Sequence, residues 1–195
     1  MKLTGKQTRA WLLNFSAKIQ EKKQDLNDLD QAIGDGDHGS NMARGVHAVE
    51  EAIKNENHTP ASEILKKAAM AMVSKVGGAS GPLYGTAFLE MAKVIDTEEL
   101  PTVLAAGLDG VKKRSKADAD EKTMADMWAP VVKALQEKKL TKDVINESVE
   151  ATKELKATKG RASYLNEGSI GHLDPGSVSS SYLFFALLEE VDVNE

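Results

Sequence analysis

Residues 59–78 read TPASEILKKAAMAMVSKVGG, and their pattern decides the fold. Thr59-Pro60 sets a cap residue before a first-turn proline. Leu65, Ala68, Met72 and Val76 then recur at helical spacing, and Gly77-Gly78 supplies a stop. The same grammar repeats in both directions. Upstream, Met42, Val46, Val49 and Ile53 form one stripe. Before it, Thr4 and Gln7 have capping-box spacing ahead of Trp11, Phe15 and Ile19. Downstream, stripes run through Phe88, Met91 and Ile95, then through Leu100, Val103, Leu104 and Val111. Met124, Trp128, Val131 and Leu135 follow, with Pro130 as a kink or a late start. Thr141 opens a segment with Val144, Ile145, Ser148 and Thr152. Asp174-Pro175 opens the last, with Val178, Tyr182, Phe185 and Leu188. These stripes predict about eight amphipathic helices and an all-α bundle with short polar connections. No stretch alternates as a strand does, and no linker separates a second domain, so residues 1–195 are expected to form one domain.

Composition narrows the function. The chain has 195 residues, with 25 Lys and Arg against 30 Asp and Glu, for a formal net charge of -5. It has no cysteine, which excludes disulfide scaffolds, Cys-ligated zinc, iron–sulfur clusters and thiol nucleophiles. Its longest apolar run, Tyr182 to Leu188, is far short of the roughly 20 residues a membrane span needs. No secretory signal is expected, because no apolar core follows Lys2 and Lys6. The acidic balance argues against a nucleic-acid binder. The short run Lys112, Lys113, Arg114, Lys116 reads as a solvated face. A cytoplasmic location is expected.

Four segments are richer in Gly, Asp and Ser than a bundle needs for turning corners: 34–41, 77–86, 160–163 and 168–181. The first, extended back to Asp30, reads DQAIGDGDHGSN. Gly34, Gly36 and Gly39 satisfy G-x-G-x-x-G, but no strand precedes them and two carboxylates sit inside the loop, where they would repel a bare pyrophosphate. The Walker string fails because Ser40 stands where lysine is required. An EF-hand fails because neither Asn41 nor Val46 is the closing glutamate. Asp35 and Asp37, two apart on a locally extended backbone, would point the same way, and Asp30 can return to the same spot. Three carboxylates suit one or two magnesium ions completed by phosphate oxygens and water. A solvated turn capping the next helix explains the same residues.

The second segment, GGASGPLYGT over 77–86, joins two helices and carries no acid. Helix-start amides with the Ser80 and Thr86 hydroxyls suit an anion, whereas a C-cap followed by close helix packing is the plainer alternative. Arg161 has the planar fork to clamp a phosphate, or is a surface partner. Asp174 is a natural N-cap. His38 is a phosphate ligand, a base or a loop donor.

Taken together, IGDGDHGSNMARG, VGGASGPLYGT, DEKTMADMW and KGRASYLNEGSIGHLDPGS resemble the L-type, nucleotide-binding subunits of bacterial dihydroxyacetone kinases, in order and spacing along nearly the whole chain. The resemblance implies eight antiparallel helices in a closed barrel with the nucleotide at one end. It implies two magnesium ions on Asp30, Asp35 and Asp37. It implies ADP or ATP contacts at His38, Gly39, Ser40, Asn41, Ala79, Ser80, Ser115, Met124, Arg161, Asp174, Pro175 and Gly176. Ser115 departs from the family's glycine. In the stand-alone form of the family, bound ADP is recharged by a phosphohistidine protein of the phosphotransferase system. The γ-phosphoryl group then passes to dihydroxyacetone on a separate K subunit. A transcription regulator and a second copy of the chain are further partners to expect. Other readings are a nucleotide-loaded regulatory binder, a kinase module for an acceptor such as a fatty acid, and a phosphohistidine relay through His38 or His172. No general base for the sugar hydroxyl is evident.

Overall fold

A computed structural model describes residues 1–195, entirely helical apart from turns and loops. The α-helices are α1 (Gly5–Glu21), α2 (Lys23–Ile33), α3 (His38–Ile53), α4 (Ala61–Lys75), α5 (Ser80–Ala92), α6 (Leu100–Ser115), α7 (Met124–Gln136), α8 (Lys142–Glu150) and α9 (Pro175–Glu190). Two 3-10 segments, Ala151–Glu154 and Arg161–Ser169, lie between α8 and α9. The ninth α-helix, α2, carries no stripe to announce it: only Leu26 and Ile33 are buried, and α1 ends just before it at Lys22.

Caps explain most boundaries. Thr4 and Gln7 form the expected capping box of α1. Thr123 and Asp126 form a second one on α7. Thr141 and Asp174 accept from the amides of Val144 and Ser177. Pro60, however, is itself the N-cap of α4 and not its first helical residue; the Thr59 hydroxyl donates to Glu56 instead of capping. Helix α7 runs through Pro130 instead of starting late. Helix α5 starts at Ser80, before the expected Thr86, and α3 starts at His38, before Met42. The glycine-rich segments are therefore largely the first turns of helices.

Eight helices close a ring in the order α1, α3, α4, α5, α6, α7, α8, α9, with α7 also touching α9 and α2 lying outside against α3. Neighbours alternate in direction. The start of α5 meets the end of α4 where Gly81 lies against Val76. Thr86 on α5 meets Gly110 near the end of α6, and Met124 on α7 meets Gly176 on α9. The starts of α3, α5, α7 and α9 are thus brought to one end. The ring is filled by one cluster of 44 buried residues, including Trp11, Phe15, Tyr84, Phe88, Trp128 and Phe184. Trp128 and Phe184 meet edge-on with centroids 5.0 Å apart. Helix α9 departs from its expected stripe. Leu183, Phe184 and Leu187 are buried, whereas Tyr182, Phe185 and Leu188 are half-buried. Ser177, Ser179, Ser180 and Ser181 are buried too, because this helix packs on several neighbours and has little solvent face. No helix is long and apolar enough to cross a membrane.

Candidate functional site

The three predicted metal ligands come together. One carboxylate oxygen from each of Asp30, Asp35 and Asp37 lies within 4.8 Å of the others. The means differ from the expected extended backbone. Gly36 has φ +77° and Asp37 has φ -116° with ψ 0°, so a tight turn swings the two aspartates together. Asp30 stands in the last turn of α2, and its Oδ2 accepts from the amides of Asp37 at 2.9 Å and His38 at 3.1 Å. That fixes the turn to α2 and leaves Oδ1 for other use. A Cβ at Gly34 would lie 2.2 Å from Asp30 Oδ1, so glycine there keeps that oxygen accessible. Burial pushes the Asp30 carboxyl above its ordinary value, the two amides oppose this, and Asp35 adds like-charge repulsion. An all-carboxylate, crowded and partly desolvated cluster is the donor set of a hard divalent cation.

Arg161 reaches this cluster and not an anion position: its Nη1 is 2.8 Å from Asp35 Oδ2, with the side chain mostly exposed. It begins the 3-10 segment Arg161–Ser169, which passes alongside α2.

Beside the acids lie helix starts with spare donors. In the first turn of α3, the amides of His38 and Ser40 are taken by Asp30 and Asn27, and that of Asn41 by Asp37 O; Gly39 N–H has no partner within the chain. The amides of Gly77, Gly78, Ala79, Ser80 and Gly81 likewise have none. Gly77 lies close to Asn41, so the two runs of donors are neighbours. Converging helix N-termini with open amides have the chemistry to attract an anion. In the turn before α9, Asp174 is spent on capping: its Oδ2 accepts from Ser177 N and Ser177 Oγ, both at 2.8 Å. Pro175 is buried, and Gly176 lies against Met124, itself buried. Ser115 stands at the end of α6, where its Oγ donates to Val111 O and accepts from Ala117 N, the work of a helix-end residue.

His38 is buried, with Nε2 2.9 Å from Ser179 Oγ and Nδ1 3.2 Å from Ser80 Oγ. Burial pulls its pKa down to about 4, against the pull of Asp37, so the ring is neutral at neutral pH. Both nitrogens are engaged, which leaves none for a phosphoryl group or a sugar proton. His172 is exposed, in the loop before α9.

Two residues that build the site, Asn27 and Lys122, are not singled out in the sequence. Asn27 grips the start of α3: its Oδ1 accepts from Ser40 N at 2.9 Å and its Nδ2 donates to Ser40 Oγ at 3.0 Å. Lys122 is buried, and its Nζ donates to the carbonyls of Thr152 at 2.7 Å and Leu155 at 3.0 Å. Thr152 Oγ1 accepts in turn from Asp174 N at 3.1 Å. The serine run before Tyr182 was the available signal for a polar lining, since serines on a helix facing a core need partners.

The DAK2 domain family matches residues 32–189. The PEP-dependent dihydroxyacetone kinase 1 ADP-binding subunit DhaL of Listeria innocua is 56% identical over 184 residues, covering 92% of this chain and 93% of that protein. The PTS-dependent dihydroxyacetone kinase ADP-binding subunit DhaL of Lactococcus lactis is 53% identical over 190 residues, covering 97% and 99%. The crystal structure of the dihydroxyacetone kinase from C. freundii in complex with AMP-PNP and Mg2+ superimposes with a TM-score of 0.75 at 22% identity, over 94% of this chain. The chain spans only 34% of that longer protein, and the likeness is one of fold.

Proposed function

Because the chain belongs to the DAK2 domain family, we propose that its acid cluster and helix-start amides form one site for a magnesium-bound adenine nucleotide. The chain is a phosphotransferase subunit, the ADP-binding component of a PEP-dependent dihydroxyacetone kinase. The observation that carries the site is the adjacency of three carboxylates within 4.8 Å of one another to helix-start amides that bond to nothing in the chain.

Asp30, Asp35 and Asp37 would hold the cations, two for a diphosphate or triphosphate. Magnesium there would supply positive charge to offset that of the phosphates. The chain's own residues do the rest. Gly39 and the Gly77–Gly81 amides face phosphate oxygens, with the Ser80 hydroxyl between them. Gly34 and Asn27 hold Asp30 and Ser40 in place. His38 and Asn41, whose amides are already taken by Asp30 and Asp37, shape the phosphate end of the site from the first turn of α3. Ala79 opens α5, and Ser115, Met124, Asp174, Pro175 and Gly176 frame the remainder of the nucleotide. Arg161 guards the acids from the solvent side and adds positive charge beside the phosphates. Positioning and charge neutralisation are what phosphoryl transfer requires.

With both nitrogens of His38 engaged, no general base is evident at the candidate site, so the acceptor hydroxyl and its base belong to the dihydroxyacetone-binding K subunit, and a phosphohistidine protein of the phosphotransferase system recharges ADP. Tyr164, 84% exposed, with Leu165 and Ile170, presents apolar surface on the segment that carries Arg161, a place for such a partner, for a transcription regulator or for a second copy of the chain. The setting is the cytoplasm, and residues 1–195 act as one domain. Denaturing the purified protein should release ADP in near-equal amount. With the K subunit and the phosphohistidine donor added, Asp35→Ala and Asp37→Ala should lose nucleotide and transfer while keeping their helicity. Full transfer in either variant, or no ADP bound by the wild type, would overturn this reading.

A further inference from the structure

A line of hydrogen bonds crosses the core from the middle of the barrel to the candidate site. Trp128 Nε1 is 2.8 Å from Ser180 Oγ, Ser180 Oγ is 3.0 Å from Tyr84 Oη, and Tyr84 Oη is 2.7 Å from Ser179 Oγ. Ser179 Oγ is 2.9 Å from His38 Nε2, and His38 Nδ1 is 3.2 Å from Ser80 Oγ. Every member but Ser80 is buried, and Ser80 is the half-buried outer end. A polar chain in an apolar core is costly unless each member is satisfied, and it joins the starts of α3, α5 and α9 through side chains alone.

We infer that this chain runs in one direction from Trp128 outward, with Ser179 donating to His38, and that it holds the Ser80 hydroxyl as a donor to the nucleotide phosphates. An indole N–H donates and cannot accept. Ser180 accepts from it, and because the Ser180 hydroxyl has no other acceptor than Tyr84 Oη, it gives its own proton to Tyr84. Tyr84 then gives its proton to Ser179, and Ser179 gives its proton to His38 Nε2. A neutral imidazole with Nε2 accepting carries its proton on Nδ1. Nδ1–H donates to Ser80 Oγ, and the Ser80 proton is left to point outward. The alternative is a break at Ser179, whose proton would go to its second acceptor, Gly176 O at 3.1 Å, in place of His38 Nε2 at 2.9 Å. His38 would then carry its proton on Nε2 and draw the Ser80 proton inward, turning an oxygen lone pair on an incoming phosphate. Tyr84, Ser179 and Ser180 are thus positioning residues for Ser80. The inference rests on the nucleotide reading of this site.

The test is the ring-nitrogen shifts of His38 in the intact, histidine-15N-labelled protein at pH 7, together with ADP affinity in the presence of magnesium. The wild type should carry its proton on Nδ1, with and without ADP. Tyr84→Phe keeps the ring and removes the hydroxyl. It should populate the Nε2–H form and weaken ADP binding about tenfold, the order expected for one hydrogen bond to a charged group. Ser179→Ala should do the same, and the two changes combined should add little further loss. A core role alone would lower the melting temperature and leave both tautomer and affinity unmoved. ADP bound normally by a wild type protonated on Nε2, or on both nitrogens, overturns this inference and leaves the nucleotide reading standing. Failure of the wild type to bind ADP removes both.

Discussion

Gly34 shows how much a single residue decides. A methyl group there would sit 2.2 Å from Asp30 Oδ1, and the rest of that carboxyl cannot retreat because its other oxygen is held by two amides. Gly34→Ala should cost magnesium-dependent ADP binding more than tenfold while shifting the melting temperature only a few degrees, as titration calorimetry and thermal melts would read. Equal ADP binding by the variant would mean Asp30 does not need that oxygen. Asp174 supplies a pH test. Burial raises its carboxyl from 3.8 to about 6, against the two hydrogen bonds from Ser177. A pKa higher in the folded state means that the folded chain keeps its proton longer than the unfolded chain does. The resulting stabilisation is full below pH 3.8 and is lost as pH rises through about 6. Asn caps a helix as well as Asp does, so Asp174→Asn should gain in melting temperature relative to wild type as pH rises through that window. A difference that shrinks with rising pH would refute the assignment.

At the level of elements, α2 rides outside the ring and is fastened to α3 mainly by polar grips and close backbone packing. A Cβ at Gly39 would lie 1.8 Å from Lys23 O, leaving no room for any side chain between the helices. Asn27→Ala removes both bonds to Ser40 and should cost about 1–2 kcal/mol in urea unfolding, with ADP affinity falling alongside because α2 carries Asp30. Unchanged affinity would show that α2 holds Asp30 without that grip. The sequence announced the ring helices through their stripes, since each shows one face to a shared core. It concealed α2, which buries only Leu26 and Ile33, and it mislaid the starts of α3 and α5. Their first turns are rich in glycine and polar residues, which read as loop although they begin helices and leave amides without partners in the chain. The clustering of the three acids was legible because charge and backbone freedom are local properties. The partners of His38 were not, because Ser179 is 141 residues away and only the closed ring brings it near.

For the whole molecule, one cluster of 44 buried residues ties α1 to α9, and no apolar seam divides it. Unfolding in urea should therefore be a single transition, with circular dichroism and tryptophan fluorescence coincident. Two separated transitions would contradict the proposal that residues 1–195 act as one domain. Phe184→Ala, which empties the space beside Trp128, should cost about 3–5 kcal/mol.

An even-numbered ring of alternating helices also decides where the ends of the chain emerge. Met1 pairs with Glu99 at the start of α6, and Asn194 bonds to Leu140 ahead of α8, both at the pole opposite the aspartates. A passenger protein joined at either extremity would hang beneath the barrel, its mouth left open to traffic.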